Sequence, residues 1–126
     1  MKPYAVRTAL VLAIVLAASA IPRPQQPAAA SQRFPQFDNA DVKVWKSVIV
    51  PSAPLTLHRH EHPRVIIALR GGTIRIVEQD GKFDQQVWET GKAYWLPANP
   101  PGTMHTDSNV GKEPTEVMVV ELLHEK

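Results

Sequence analysis

Residues 55–64 read LTLHRHEHPR, and the interpretation of the whole chain depends on this stretch. Apolar and polar side chains alternate from Leu55 to His60, which is the pattern of a β-strand with one buried face. On such a strand His58 and His60 project to the same side, about 7 Å apart. Two imidazoles with this spacing can bind one first-row transition metal. The stretch therefore predicts a strand that carries two metal ligands.

The chain after Pro35 has the pattern of an all-β domain. Runs rich in Val and Ile alternate with turn signals, and Asp80-Gly81 is typical of a two-residue hairpin. Strands are predicted over residues 41–50, 55–60, 64–69, 73–77, 82–89, 93–96 and 115–123. No sustained helical spacing is present outside the N-terminal segment. Seven or eight short strands predict a small antiparallel sandwich or barrel.

The N-terminus has the features of a secretory signal peptide. Lys2 and Arg7 precede a short apolar run over residues 9–16, and Ala18-Ser19-Ala20 is the small-residue pattern of a cleavage site. An uncleaved membrane anchor is the alternative, but a span needs about 20 apolar residues. We therefore expect a signal peptide at 1–20, a Pro/Ala/Gln-rich spacer at 21–36 and one domain at 37–126. The protein is expected to be exported, either to the periplasm or out of the cell, and to meet a membrane only through the signal peptide.

Charge and cysteine content narrow the possible partners. The chain has 14 basic and 12 acidic residues, and removal of Lys2 and Arg7 with the signal would leave 12 of each. This balance gives no support for nucleic-acid binding. Exported domains of this size often contain disulfides, but the sequence has no Cys. We therefore expect packing, oligomerisation or a bound metal to stabilise the domain.

Two successive sequence patterns resemble the two motifs of the cupin superfamily and occur in the same order. The first cupin pattern runs Gly, five residues, His-x-His, three or four residues, Glu, six residues, Gly. His58, His60 and Gly71 match it, whereas Ser52 stands at the first Gly and Arg64 at the Glu. The two patterns together span residues 52–109, which is most of the predicted domain.

The second cupin pattern runs Gly, five residues, Pro-x-Gly, two residues, His, three residues, Asn. Residues 100–109 match it from the Pro onward, with His105 and Asn109 in place, while Gly91 lies three residues too early. The resemblance implies a small antiparallel jelly-roll barrel. It also implies a metal site in which His105 joins His58 and His60. Zn, Fe, Cu, Ni and Mn are all candidates for the ion, and a barrel without a metal is the alternative.

Arg64 conflicts with the simplest form of that site. A guanidinium about 5 Å from a divalent ion, at an effective dielectric of about 20, would be repelled by roughly 6–7 kcal/mol. Arg64 could turn outward or pair with Glu61, it could hold an anionic ligand in the barrel mouth, or the metal could be absent. Tyr94 is a second candidate for ligand binding, with a core position as the alternative. Glu121 is predicted to be a solvated strand residue.

Two kinds of function follow from the resemblance. Cupins include small dioxygenases, isomerases and epimerases, so a three-His metal site could support metal-dependent oxygenase or isomerase chemistry on a small molecule. The alternative is a non-catalytic barrel that binds an anion or a sugar at a degenerate metal site. The sequence identifies no catalytic base, so it leaves open whether the protein is an enzyme. A homodimer is expected because cupins commonly pair through their outer strands.

Overall fold

The computed structural model describes residues 30–124, and its regular structure is entirely β. Eight strands follow one another along the chain: β1 (Gln32–Asp38), β2 (Val42–Ile49), β3 (Arg64–Arg70), β4 (Gly72–Glu78), β5 (Phe83–Trp88), β6 (Ala93–Leu96), β7 (His105–Asn109) and β8 (Thr115–Leu122). The predicted all-β class is confirmed. The expected signal peptide and most of the expected spacer lie outside the described residues. Within residues 30–124, no helix is long and apolar enough to cross a membrane.

The strands form two antiparallel sheets. The larger sheet has the order β1-β2-β8-β3-β6, and the smaller has the order β5-β4-β7. Strands β2 and β8 pair over their whole length, from Val42 opposite Leu122 to Ile49 opposite Thr115. Strand β7 pairs with β4 in the smaller sheet, so a residue on β7 can face residues of the larger sheet across the barrel.

One hydrophobic core fills the space between the sheets. Every second residue of β8 is buried at Val117 and Val119, as the period of a half-buried strand requires. Fully burying an aliphatic or aromatic side chain contributes about 1.5–3 kcal/mol. The core residues come from both sheets and the loop before β3: Trp45, Ile49, Leu55, Ile66, Ala68, Ile74, Trp88, Leu96, Val117 and Val119. Trp95 lies on the outer face and is 56% exposed.

Strand β1 corrects the expected start of the folded domain. It begins at Gln32, inside the region expected to be a spacer up to residue 36, so the boundary at 37 is too late. All seven of its residues are exposed, because β1 is an edge strand held by backbone pairing with β2. The pairing register shifts between Pro35 and Phe37. An edge strand tolerates a Pro and needs no alternating apolar face, so the usual sequence signals of a strand are missing.

Residues 55–60, predicted to be a strand, are instead an extended connection. They form one isolated bridge, in which the backbone groups of His58 and His105 exchange hydrogen bonds of 2.9 and 2.8 Å. Pro54 and Pro63 flank the segment and lack the N–H groups that a longer ladder would need. The segment contacts β7 through this bridge and through a 3.0 Å hydrogen bond from the Leu55 N–H to the Asp107 carbonyl oxygen, and it places His58 and His60 at the barrel opening.

The local structure explains why the first cupin pattern has glycine at the positions of Ser52 and Gly71. Ser52 has a φ of 63°, a left-handed conformation that favours glycine, and glycine is what the pattern has there. Gly71 packs so closely that a Cβ would lie 2.1 Å from the carbonyl oxygen of Trp88. At residue 52 this chain therefore has a serine in a conformation that a glycine would adopt without strain.

Candidate metal site

Three histidines from separate parts of the sequence meet at one end of the barrel. His58 and His60 come from the connection before β3, and His105 is the first residue of β7. The centroids of their rings lie 4.5 Å apart for His58 and His105, 5.0 Å for His58 and His60, and 5.4 Å for His60 and His105. His60 and His105 are only 5% and 2% exposed. The structure thus brings together the three residues that were predicted as ligands.

The three imidazoles can each offer one nitrogen to a shared ion. These nitrogens all lie within 4.8 Å of one another. Ligands about 2.1 Å from one ion lie roughly 3–4 Å apart, so side-chain movements of about 1 Å would close the site. The Nε2 atoms of His58 and His105 are buried and have no hydrogen-bond partner among residues 30–124. Buried polar atoms normally have a partner, and a metal ion would satisfy His58 Nε2 directly and His105 Nε2 once the ring proton of His105 is on Nδ1.

The Nδ1 side of two rings is held by neighbouring groups. His58 Nδ1 lies 2.7 Å from the Thr56 carbonyl oxygen, to which it donates as Nδ1–H, and this tautomer leaves Nε2 free to bind a metal. His60 Nδ1 lies 3.8 Å from Glu121 Oε1, so a carboxylate faces the outer side of this ring as well. Such contacts behind a metal ligand fix its orientation and raise its basicity.

Asn99 contacts His60 and His105. Sequence analysis missed this residue. Its Oδ1 accepts a hydrogen bond of 2.7 Å from the backbone N–H of His60, which sets the orientation of the amide. Its NH₂ group then lies 3.0 Å from His105 Nδ1 and donates to it. In this arrangement the ring proton of neutral His105 is on Nε2. Binding a metal through His105 Nε2 requires the ring proton to move to Nδ1. The Asn99 amide must then turn its oxygen towards His105 Nδ1–H.

The histidines are neutral at physiological pH, as metal ligands must be. Burial lowers the pKa of His60 to about 4, and the nearby cations Arg64 and Arg33 act in the same direction. Burial likewise lowers the pKa of His105 to about 4. The pKa of His58 is also lowered, again chiefly by burial. No proton therefore has to leave these rings for a metal to bind at neutral pH.

Two carboxylates border the histidines. Asp107 lies two residues after His105 on β7, with Oδ2 3.5 Å from His58 Nε2 and Oδ1 3.7 Å from His105 Nε2. Glu121 was predicted to be solvated, and that prediction is wrong, because its side chain is only 13% exposed and faces His60. Burial alone would raise the pKa of Glu121, but His60 and nearby cations lower it on balance. The alternation of β8 and the position two residues after His105 are the signals that could have identified these acids.

Arg64 points into the barrel. It is 5% exposed, and its Nη1 donates a 3.0 Å hydrogen bond to the Pro97 carbonyl oxygen. The suggestions that Arg64 turns outward or pairs with Glu61 are therefore wrong, and Glu61 forms its 3.9 Å ion pair with Arg59. Burial lowers the pKa of Arg64 to about 10, while Asp107 and Glu121 act in the opposite direction. The two carboxylates offset the buried guanidinium charge.

An open cleft of about 500 Å³ leads to His60 from the side of β1. Trp45 forms one wall, with its ring parallel to that of His60 at a centroid distance of 5.9 Å. The guanidinium of Arg33, on β1, lies 5.4 Å from the centroid of the Trp45 ring. Charged residues of both signs line the cleft: Arg33, Lys43, Arg59, Asp38 and Glu121. Sequence analysis missed Arg33 because it placed this residue in the spacer.

Below the cleft, a water-sized cavity of about 20 Å³ is bordered by His60, Arg64 and Asp107. Tyr94 lines neither space. Its hydroxyl accepts a 2.7 Å hydrogen bond from the backbone N–H of Glu89, and its ring packs against the core. The structure therefore does not bring Tyr94 to the histidines, and the core alternative describes its position.

Solved structures share this fold at low sequence identity. A cupin domain from Bordetella pertussis Tohama I is 22% identical, with a TM-score of 0.64 over 74% of this chain and 93% of that one. An RmlC-like cupin family protein with a double-stranded β-helix fold, from Methanocaldococcus jannaschii, is 15% identical, with a TM-score of 0.58 over 81% and 88% of the two chains. An RmlC-like cupin protein from Desulfovibrio desulfuricans is 15% identical, with a TM-score of 0.55 over 82% and 97%. The chain has the double-stranded β-helix fold of the cupin superfamily.

Sequence comparisons add little to this structural similarity. No family model matches the chain. Mouse plakophilin-2 is 32% identical over 72 residues, or 56% of this chain, but the chain spans only 9% of the length of plakophilin-2. Because so little of that protein is covered, the match does not assign a family. The cupin fold thus rests on the structure and on the two sequence patterns.

Proposed function

We propose that this protein is an exported cupin that binds one divalent transition metal through His58, His60 and His105. The observation that carries the proposal is the pair of buried Nε2 atoms on His58 and His105, which have no hydrogen-bond partner in the described residues 30–124 and lie beside the third imidazole. Three neutral imidazoles suit Zn²⁺, Fe²⁺, Cu²⁺ or Ni²⁺, and a neighbouring carboxylate extends the range to Mn²⁺. When bound, such an ion supplies Lewis-acid or oxygen-binding chemistry.

The second part of the proposal is that the cleft beside the metal site receives a small anionic molecule. Arg33 lines the cleft, and Arg64 borders the adjoining water-sized cavity; both carry guanidinium groups, whose planar geometry fits a carboxylate or a phosphate. Within residues 30–124, Arg64 donates a hydrogen bond to the Pro97 carbonyl oxygen, and a guanidinium carries five N–H donors. The Trp45 ring offers an apolar wall against which the rest of the molecule can pack. This chain's residues would thus bind and orient the molecule next to His60.

Elemental analysis of the purified mature protein tests the metal proposal. We expect about one equivalent of a transition metal in the wild type and none above background in a His58→Ala/His105→Ala double variant. His124→Ala is the matched control, because His124 has a side chain that is 74% exposed, lies beside Asp41, and borders neither the cleft nor the small cavity. A wild-type protein that stays metal-free after incubation with each candidate ion would contradict the proposal.

A non-catalytic anion- or sugar-binding barrel is the second candidate function. It is favoured by Arg64, a buried cation at the place where the cupin pattern has a metal-binding Glu. The two candidates differ in their dependence on the metal. If the barrel acts by binding alone, then anion affinity measured by calorimetry is the same before and after removal of the metal. If the metal takes part, its removal lowers anion affinity or abolishes turnover.

Export is proposed from the sequence of residues 1–20. Expression of the whole gene with cell fractionation, followed by N-terminal sequencing, tests this part. Recovery of the protein in the periplasm or the medium, starting after Ala20 or within the following spacer, supports export. Recovery of the uncut chain in the cytoplasm contradicts it.

A further inference from the structure

The carboxylate nearest the histidines stands at a different place from the one that the cupin pattern predicts. The pattern has Glu on β3, where this chain has Arg64. Asp107, on β7, is instead the acid that approaches the histidines. Asp107 and His105 are two residues apart on one strand, so their side chains point to the same face. The alternation of side chains along β7 therefore places the Asp107 carboxylate and the His105 imidazole on the same side.

The distances from Asp107 to the two imidazoles are informative. Its two carboxylate oxygens lie 3.5 Å from His58 Nε2 and 3.7 Å from His105 Nε2, which is longer than an ordinary hydrogen bond of about 2.7–3.2 Å. Two ligands at about 2.1 Å on a tetrahedral ion lie roughly 3.4 Å from each other. Within the part of the chain that the structure describes, both Nε2 atoms are buried and unpartnered, although a carboxylate is this close to them. These separations to His58 and His105 are those expected of groups that share an ion. Asp107 lies outside the group of three histidines whose nitrogens are all within 4.8 Å of one another, so its carboxylate would have to move towards His60 when the ion binds.

The charges around Asp107 agree with this role. The side chain of Asp107 is 13% exposed, and it borders the water-sized cavity together with Arg64 and His60. A cation bound beside the histidines would be repelled by Arg64, and the Asp107 carboxylate attracts both. A relocated acid thus accounts for how a metal site and a buried arginine can exist in the same barrel.

We propose that Asp107 is the carboxylate ligand of the metal, so that His58, His60, His105 and Asp107 form the complete protein ligand set. The acid has moved from β3 to β7, and the vacated position carries Arg64. This inference rests on the proposed metal-binding function and specifies it further.

Cobalt substitution tests the inference independently of any enzymatic activity. The metal-free protein is titrated with Co²⁺, and the visible absorption of the bound ion reports its ligands. Asp107→Asn should lower Co²⁺ affinity by more than about 100-fold, beyond the 10–100-fold typical of groups behind the ligands, and should change the spectrum. Glu121→Gln is the comparison variant, since it removes one charge from a group behind His60 without removing a proposed ligand, and it should lower affinity only within that range of about 10–100-fold.

Asp107→Cys provides a gain of signal in case the Asn variant folds poorly. The natural chain has no Cys, so a thiolate-to-cobalt charge-transfer band could arise only from residue 107. Appearance of this band supports the inference. A folded Cys variant that binds Co²⁺ without the band, or an Asn variant with the wild-type spectrum and no greater loss of affinity than Glu121→Gln, would overturn it. Failure of the wild-type protein to bind Co²⁺ or any other candidate ion would instead defeat the proposed function itself.

Discussion

Arg64 and Glu121 are directly opposite each other on the neighbouring strands β3 and β8, and both side chains face the barrel interior. Opposite charges at facing positions of an antiparallel pair stabilise each other. Asp107 adds a second negative charge from the other sheet. The buried guanidinium is therefore compensated from two directions, and it can remain beside a metal site without pointing to solvent.

Replacement of Arg64 should have opposite effects on the two ligands of the site. Arg64→Met removes the buried cation and keeps much of the side-chain volume, so we expect metal affinity to rise at least about tenfold, equivalent to about 1.4 kcal/mol. Affinity for inorganic phosphate, used as an anionic probe, should fall. Calorimetric titration measures both. Arg70→Met is the control, because Arg70 ends the same strand with a side chain that is 58% exposed, and it should change neither affinity.

Asn99→Asp should strengthen metal binding. A carboxylate can accept hydrogen bonds from the backbone N–H of His60 and from His105 Nδ1–H together, whereas the amide offers His105 a donor. The substitution therefore favours the His105 tautomer that leaves Nε2 free, and we expect affinity to rise by about tenfold. Gln36→Glu adds the same charge at the wall of the cleft and serves as the control. An equal rise in both variants would mean that charge alone, and not the tautomer, is responsible.

The metal-free protein should lose stability as the pH falls from about 6.5 to about 4. The pKa of His60 and of His105 is about 4 in the folded protein, against an ordinary value of 6.5. Between these values the unfolded chain binds protons that the folded chain does not, so the free energy of unfolding decreases by about 1.4 kcal/mol per pH unit for each proton. Urea denaturation at several pH values measures the slope. His60→Phe should reduce it, whereas His124→Ala should not.

Ser52→Gly should stabilise the fold. Ser52 has a φ of 63°, and a left-handed conformation costs a residue with a Cβ roughly 1–2 kcal/mol. The greater freedom of Gly in the unfolded chain offsets part of this gain, so we expect a net increase of about 0.5–1 kcal/mol in the free energy of unfolding. Ser52→Ala keeps the Cβ and should bring no gain. A destabilising Gly substitution would show that the Ser52 side chain contributes something that its contacts do not reveal.

The expected homodimer remains a prediction, and the outer face of the larger sheet is where it should form. Ile67, Leu69 and Trp95 are large apolar residues on β3 and β6 that are 37%, 46% and 56% exposed. Trp95→Glu should convert a dimer into a monomer in light scattering coupled to gel filtration. Phe83→Glu, at a 58% exposed position of the smaller sheet, should leave the dimer intact. A wild-type protein that is monomeric at micromolar concentration would contradict the prediction.

Sequence reasoning placed most strands within one residue of their observed ends: β2, β3, β4, β5, β6 and β8. In β2, β3, β4 and β8 the alternating or apolar patterns arise from burial against the core, whereas β5 is marked by the Asp80-Gly81 turn signal before it. Sequence reasoning failed at β1 and at residues 55–60. The first is an exposed edge strand that pairs with β2 through its backbone, and the second alternates without forming a ladder. The pattern of side chains along a segment indicates which residues are buried. At β1 and at residues 55–60, burial does not determine the hydrogen bonding of the backbone.

The sequence by itself determined the all-β class and His58 and His60 as candidate ligands, because strand periodicity and residue spacing are local properties, and the resemblance to cupins added His105. Only the tertiary structure decided what surrounds those histidines. Asp107, Glu121 and Asn99 reach them from β7, from β8 and from the loop before β7, and Arg33 arrives from a strand with no sequence signal. These contacts depend on which strands pair and in which register. Strand pairing is set by the packing of the whole barrel. The residues around the histidines can therefore be identified only from the folded structure.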